Sequence, residues 1–270
     1  MTLQIKPLSQ HVGAEIVGLD LHAPISPADA DELRSAFARH HLLLIRDQKV
    51  SEDEQSAFGE VFGEIKIRHR YANVGEVKKT QYVSNARKDG ILGDGEIQYH
   101  QDHTFYDKPL SAIILYGVQV PQSGSATKFR KSGAILDKLP AELRERAEGV
   151  KCLHLYNYHG DFTKWQDPSK APPDSPRAWQ PLIWSNPKTN AQALWAIPIS
   201  TVGFEGISEE DGRQLVEDIW TFAANNDADC TYVHNWSVGD LLIWDNLMLQ
   251  HARLPFDADE PRTLRRTPIV

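Results

Sequence analysis

Only two cysteines, Cys152 and Cys230, occur in the 270 residues. They lie far apart and form neither a metal-binding nor a redox spacing, which argues against a disulfide framework and for a reducing compartment. No apolar run approaches the ~20 residues that a membrane-spanning helix needs. The first ten residues also lack the charged and then apolar segments of a secretion signal. Basic residues are the scarcer charge: 29 Lys and Arg against 37 Asp and Glu leave a net charge of −8. That balance argues against a nucleic-acid or anionic-membrane surface. Neither a GxGxxG nor a GxxxxGK[ST] segment is present, which weakens nucleotide-cofactor readings. No internal repeat or low-complexity linker divides the chain, so residues 1–270 are expected to form a single domain. These absences leave a soluble cytoplasmic protein as the starting class, with no nucleic-acid or membrane partner expected. Association with further copies of itself stays open.

Hydrophobic residues make up 41% and charged residues 24%, the balance of a globular protein and not of a disordered one. Short β-like runs at 3–7 and 14–19 open the chain. Ser26-Pro27 then predicts a helix start, Ser as N-cap and Pro at the first helical position, with Leu33, Ala36 and Phe37 on one face. Residues 42–45 are four consecutive apolar residues and read as a buried strand. Ser51 and Glu54 form a capping box for a second helix, which Gly63 is expected to end. A strand is expected within 76–83, and the glycine-rich run 87–95 reads as a polar loop. Further strands are expected at 111–120, 150–155, 182–184, 193–197, 231–234, 240–244 and 264–269, with helices at 141–148 and 208–224. Residues 156–181 read as a surface excursion. Many short strands with few helices predict a mainly β protein with flanking helices (α+β), a jelly roll or double-stranded β-helix of cupin type.

The segment that points to chemistry is His100-Gln101-Asp102. On a strand, alternate side chains share a face, so His100 and Asp102 are expected to point together while Gln101 and His103 point away. The spacing alone is weak: His159-Gly160-Asp161 repeats it in what reads as a loop. Company comes from the C-terminal region, where an apolar strand at 240–244 is followed by His251, Arg262 and Arg266. Two histidines and one carboxylate leave positions of an octahedral ion open, the arrangement of non-haem iron oxygenases. A buried arginine suits the far carboxylate of a chelating co-substrate, which it meets through a forked pair of hydrogen bonds.

The sequence resembles the taurine/2,4-dichlorophenoxyacetate dioxygenase (TauD/TfdA) family across essentially its whole length. The resemblance is carried in order by Gly13-Ala14-Glu15-Ile16-Val17-Gly18-Leu19-Asp20-Leu21, Leu44-Ile45-Arg46-Asp47-Gln48, and the HxD segment with Phe105 and Pro109. It continues through Val120-Pro121, Gly124, Thr127, Gly239-Asp240, Trp244-Asp245-Asn246, His251 and the two arginines. It implies an iron(II)- and 2-oxoglutarate-dependent dioxygenase, with His100, Asp102 and His251 as metal ligands. Thr127 and Arg262 would hold the distal carboxylate of 2-oxoglutarate, and dioxygen would be the oxidant, with succinate and carbon dioxide released. Asp102 stands where related halogenases have a small residue, which favours hydroxylation.

Three departures from the family pattern stand out: Tyr99 replaces the tryptophan before HxD, Gly124-Ser125-Ala126-Thr127 replaces Gly-Gly-Asp-Thr, and Phe129-Arg130-Lys131 is unusually basic. Arg266 matches a position where relatives pair with an anionic substrate group, and His69 lies near one where they place a substrate-binding histidine; together they predict a small anion such as a carboxylate, sulfonate or phosphonate. The other histidines, and tryptophans 165, 179, 184 and 195, read as structural. Residues 64–98 and 156–181 are expected to supply mobile loops over the site. Two alternatives remain: a zinc-dependent cupin-type enzyme, for which Arg262 has no obvious task, and a non-catalytic small-anion-binding protein on the same fold.

Overall fold

The computed structural model describes residues 3–66, 79–157 and 160–270. Its organisation follows from the strand Leu42–Ile45 (β3), which is apolar at every position because both of its faces are buried. Leu43 and Ile45 meet Leu33 and Ala36 of helix Pro27–His40 (α1) and Phe58 of helix Glu52–Glu60 (α2). Leu42 and Leu44 point the other way, into a second core. Neighbouring strands repeat this alternation. Ile243 of Leu241–Asp245 (β15) and Ile114 of Ala112–Gln119 (β7) join the helix side, while Leu242, Trp244, Ile113 and Leu115 join the inner core. Each such side chain stabilises the fold by roughly 1.5–3 kcal/mol through burial.

These strands belong to an eight-stranded sheet in the order Gln4–Pro7 (β1), Ala14–Val17 (β2), β3, β15, β7, Thr263–Ile269 (β17), Gln81–Ser84 (β4) and Gly90–Ile91 (β5). Pairing is antiparallel except for β2 with β3 and β4 with β5. A four-stranded sheet faces it, in the order Thr231–His234 (β14), Thr127–Lys131 (β8), Leu249–Arg253 (β16) and Ile97–His100 (β6). Phe129 and Leu249 from this smaller sheet enter the inner core, so two sheets close over one apolar filling. This is the jelly roll with flanking helices that the strand-rich sequence predicts. Outside it, Lys151–Leu155 (β9), Arg177–Pro181 (β10) and Thr201–Glu205 (β13) form a third sheet, and Ile183–Ser185 (β11) pairs with Gln192–Leu194 (β12). Helices Ser132–Lys138 (α3), Ala141–Ala147 (α4) and Glu209–Asn226 (α5) pack a separate cluster around Leu136, Leu194, Leu215 and Ile219.

The expected helix starts are present. Ser26 and Ser51 accept hydrogen bonds from the Asp29 and Glu54 backbone N–H groups, and Glu54 closes its capping box. The second helix ends at Glu60, before Gly63. Gly63 serves a close approach instead: a Cβ there would stand 2.8 Å from the Val270 carbonyl oxygen. Besides the short β5, four strands went unpredicted. β8 and β16 carry too many polar residues to read as apolar runs, β13 is interrupted by Gly203, and β10 lies inside the expected surface excursion. Within the expected loop 87–95, Gly90 and Ile91 pair with β4. No helix among the described residues is long and apolar enough to cross a membrane.

Leu43→Ala should destabilise the fold by roughly 2–5 kcal/mol, the range for truncating a buried leucine. Urea unfolding should show this with an unchanged slope, because Leu43 faces the helix side.

Candidate metal and 2-oxoglutarate site

β6 and β16 are paired so that His100 lies directly opposite His251. The two imidazole rings have centroids 4.2 Å apart. Nδ1–H of His100 donates to the Gln98 carbonyl at 2.8 Å, which leaves Nε2 as the free lone pair. That atom stands 3.3 Å from Asp102 Oδ1, and His251 Nε2 stands 3.9 Å from the same oxygen. One ligand atom from each of the three residues lies within 4.8 Å of the others.

Asp102 reaches this position by a route different from the expected one. β6 stops at His100, Asp102 lies in the following turn, and His103 has a φ of 64°. Asn246 substitutes for the strand ladder. Its Oδ1 accepts from the Asp102 backbone N–H at 2.8 Å, and its Nδ2 donates to the Asp102 carbonyl at 2.9 Å. The same Nδ2 donates to the Leu110 carbonyl at 2.9 Å. One buried amide thus holds the metal-facing turn against the end of β15. Gln101 and His103, both expected on the opposite face, line the same cavity as Asp102.

Arg266 Nη2 donates to Asp102 Oδ2 at 2.6 Å, so one carboxylate oxygen is engaged and the other faces the histidines. Burial pushes the Asp102 carboxyl up, but Arg266 and the two imidazoles outweigh it and hold it well below the ordinary carboxylate range. Burial, with His100 beside it, pushes the His251 imidazole down to about 3. A neutral His251 and an ionised Asp102 are the protonation states that metal ligation requires.

From the triad a cavity of about 480 Å³ extends past Trp244 to Thr127, Arg253 and Arg262. Arg262 is 2% exposed. Its Nε and Nη1 are buried without a hydrogen-bond partner, and burial, with Arg253 nearby, lowers its pKa to about 9. An arginine with unsatisfied N–H groups in a dry cavity costs free energy unless an anion completes it. Thr127 Oγ1 accepts from Trp236 Nε1 at 2.9 Å, which leaves its own O–H to donate. The Arg262 backbone N–H is held by Asn85 Oδ1 at 2.8 Å, and Asn85 Nδ2 also grips the Ala258 and Glu260 carbonyls. A His-His-Asp set at one end and a cation with a hydroxyl at the other fit a metal-chelating dicarboxylate.

A second cavity, of about 750 Å³, opens on the far side of His100, Asp102 and Arg266. Its walls include Ile91, Leu92, Phe105, Phe162 and Ile199, and Phe105 stacks on Tyr156 at 4.6 Å. Arg266 lines both cavities. His69 lies outside the described residues, as do His159 and much of the first expected loop. Tyr99 takes the place of the family tryptophan by packing under the Arg130 guanidinium, 4.0 Å from its ring centroid, and edge-on to Trp220. The sequence reading missed the roles of Asn246, Asn85 and Arg253. Only Asn246 carried a signal, as part of the Trp-Asp-Asn segment.

A family model described as taurine catabolism dioxygenase TauD, TfdA family matches residues 4–267. The chain belongs to this family. It is 28% identical to the alpha-ketoglutarate-dependent 2,4-dichlorophenoxyacetate dioxygenase of Cupriavidus pinatubonensis, over 98% of this chain and 97% of that protein. It is 26% identical to the pentalenolactone F synthase of Streptomyces avermitilis, over 94% and 90% of the two chains. Among solved structures, AAD-2 in complex with Mn(II) and N-oxalylglycine superposes with a TM-score of 0.82 at 27% identity, covering 100% of this chain and 97% of that one.

Asn246→Ala should weaken Mn(II) binding by roughly 10–100-fold, as losing a group that orients a metal ligand does. Titration followed by electron paramagnetic resonance checks this. An unchanged affinity would mean that the turn holds Asp102 without the amide.

Proposed function

We propose that this protein is an iron(II)- and 2-oxoglutarate-dependent dioxygenase that hydroxylates a small organic anion. The observation that carries the reading is the buried, incompletely bonded Arg262 guanidinium across one cavity from the His100, Asp102 and His251 cluster. His100 Nε2, His251 Nε2 and Asp102 Oδ1 would hold the iron, leaving open positions for a chelating keto acid and dioxygen. When bound, this group supplies oxidative decarboxylation of 2-oxoglutarate to succinate and carbon dioxide, and the oxidising equivalent that hydroxylates the substrate.

The chain's own residues do the binding and orienting. Arg262 and the Thr127 hydroxyl receive the distal carboxylate of 2-oxoglutarate. Arg266 keeps Asp102 Oδ2 occupied, so Oδ1 is the oxygen that would face a bound metal. Arg266 also faces the larger cavity, where it supplies positive charge for an anionic substrate beside an apolar wall that excludes water. The named relative from Cupriavidus pinatubonensis acts on an aryloxyacetate, which supports an anion as substrate; His69 remains a second proposed contact. The two free, buried thiols support a cytoplasmic setting.

Anaerobic addition of iron(II) and 2-oxoglutarate should produce the visible charge-transfer band of a chelated keto acid. His251→Ala should abolish the band, and Arg262→Ala should raise the 2-oxoglutarate dissociation constant by about tenfold or more, one charge-assisted hydrogen bond's worth. Absence of the band and of succinate in the wild type, across sulfonates, phosphonates, aryloxyacids and amino-acid derivatives, would sink the proposal. Turnover with zinc and no 2-oxoglutarate would point to the cupin-type alternative.

A further inference from the structure

Arg253 lies two residues beyond His251 on β16 and opposite Thr127 on β8. It is 6% exposed and lines the cavity that ends at Arg262. Unlike Arg262, it donates from all three guanidinium nitrogens, each time to a backbone carbonyl. Nε donates to the Gly95 carbonyl at 2.7 Å, Nη1 to the Leu92 and Gly93 carbonyls at 2.7 and 3.2 Å, and Nη2 to the Asp94 carbonyl at 2.6 Å. Four consecutive carbonyls converge on one cation. The backbone curls to allow this: Leu92 and Gly95 have φ values of 55° and 91°. A leucine rarely adopts that conformation, and the bonds to Arg253 offset its strain.

The gripped segment covers the chemistry. Leu92 lines both the cavity holding Arg262 and the larger one beside Asp102, and it packs against the inner core and against the cluster around Trp195. Within the glycine-rich run 87–95, regular pairing stops at Ile91, so the next four residues depend on this side chain for their course. Arg253 and Arg262 also flank the Phe256 ring, with guanidinium carbons 5.7 and 5.5 Å from its centroid.

We propose that Arg253 is a positioning residue that clamps residues 92–95 over the 2-oxoglutarate cavity, so that Leu92 forms the wall between co-substrate and substrate. The proposal rests on the reading of that cavity as the 2-oxoglutarate site. A charge at position 253 is insufficient for this task. Lysine offers three donors on one nitrogen and cannot span four carbonyls as the planar guanidinium does.

Two measurements on the purified full chain test the proposal and separate it from the functional reading. The first is trypsin cleavage of the metal-free protein at Arg87 and Lys88, both exposed just before the gripped segment. The second is the affinity for N-oxalylglycine in the presence of Mn(II), by calorimetry. Arg253→Lys should raise both the cleavage rate and the dissociation constant by about tenfold or more, because charge-assisted bonds are lost while the charge stays. It should also raise KM for 2-oxoglutarate more than it lowers kcat. Gly95→Val keeps Arg253 but disfavours the positive φ at a position with open space around it; it should reproduce both effects and covers the case in which position 253 variants fail to fold. Wild-type cleavage and affinity in Arg253→Lys would overturn the clamp. Faster cleavage with unchanged N-oxalylglycine affinity would overturn its link to the co-substrate. If the wild type binds no N-oxalylglycine while the variants still expose Arg87 and Lys88, the functional reading fails and the loop clamp stands.

Discussion

Asp102 divides its carboxylate between opposite tasks, and the geometry of the site depends on that division. Oδ2 accepts the short hydrogen bond from Arg266, while Oδ1 faces the Nε2 atoms of His100 and His251. A buried carboxylate without Arg266 would be driven towards its protonated form. It would then lose the charge that makes it a ligand. Arg266 comes from β17 of the large sheet, and both histidines come from the small one. The ion pair is therefore also a tie between the two sheets at the mouth of the barrel, where no continuous strand ladder joins β6 to β17.

The support behind this pair is a set of buried polar groups. Asn246 caps both backbone groups of Asp102, Gln98 fixes the His100 tautomer, and Asn85 holds the turn before Arg262. Behind β16, Arg130 donates from Nε and Nη2 to Gln250 Oε1, and the Gln250 amide donates to the Ala196 carbonyl. Each buried donor answered in this way leaves Arg262 conspicuous as the cation with N–H groups to spare.

The apolar architecture was legible in the sequence because burial on two faces writes itself as uninterrupted runs, as in Leu42-Leu43-Leu44-Ile45. The capped helix starts at Ser26 and Ser51 were legible for a local reason: the bonds they make span only three residues. The strands that carry Thr127 and His251 were not. Facing a polar cavity on one side, β8 and β16 lack the apolar alternation that marks a half-buried strand. Pairing of His100 and Asp102 was anticipated, but from a regular strand. The actual turn depends on Asn246, 144 residues away in the chain; the Trp-Asp-Asn segment marks that residue but not which backbone it grips. Arg253 was invisible for the same reason, since its partners are carbonyls, which every residue has.

Arg262 and Arg266 both line the smaller cavity, and Leu264 between them enters the inner core. Arg262 immediately precedes β17 and Arg266 lies on it, so the two guanidinium groups reach one cavity from either side of Leu264. The strand then works as a ruler between the two anion-seeking ends of the site. A one-residue insertion or deletion between them would turn one arginine towards the helix side, where Arg265 already donates to Gln55. An insertion that keeps both arginines on one face of an extended chain must therefore come in pairs of residues.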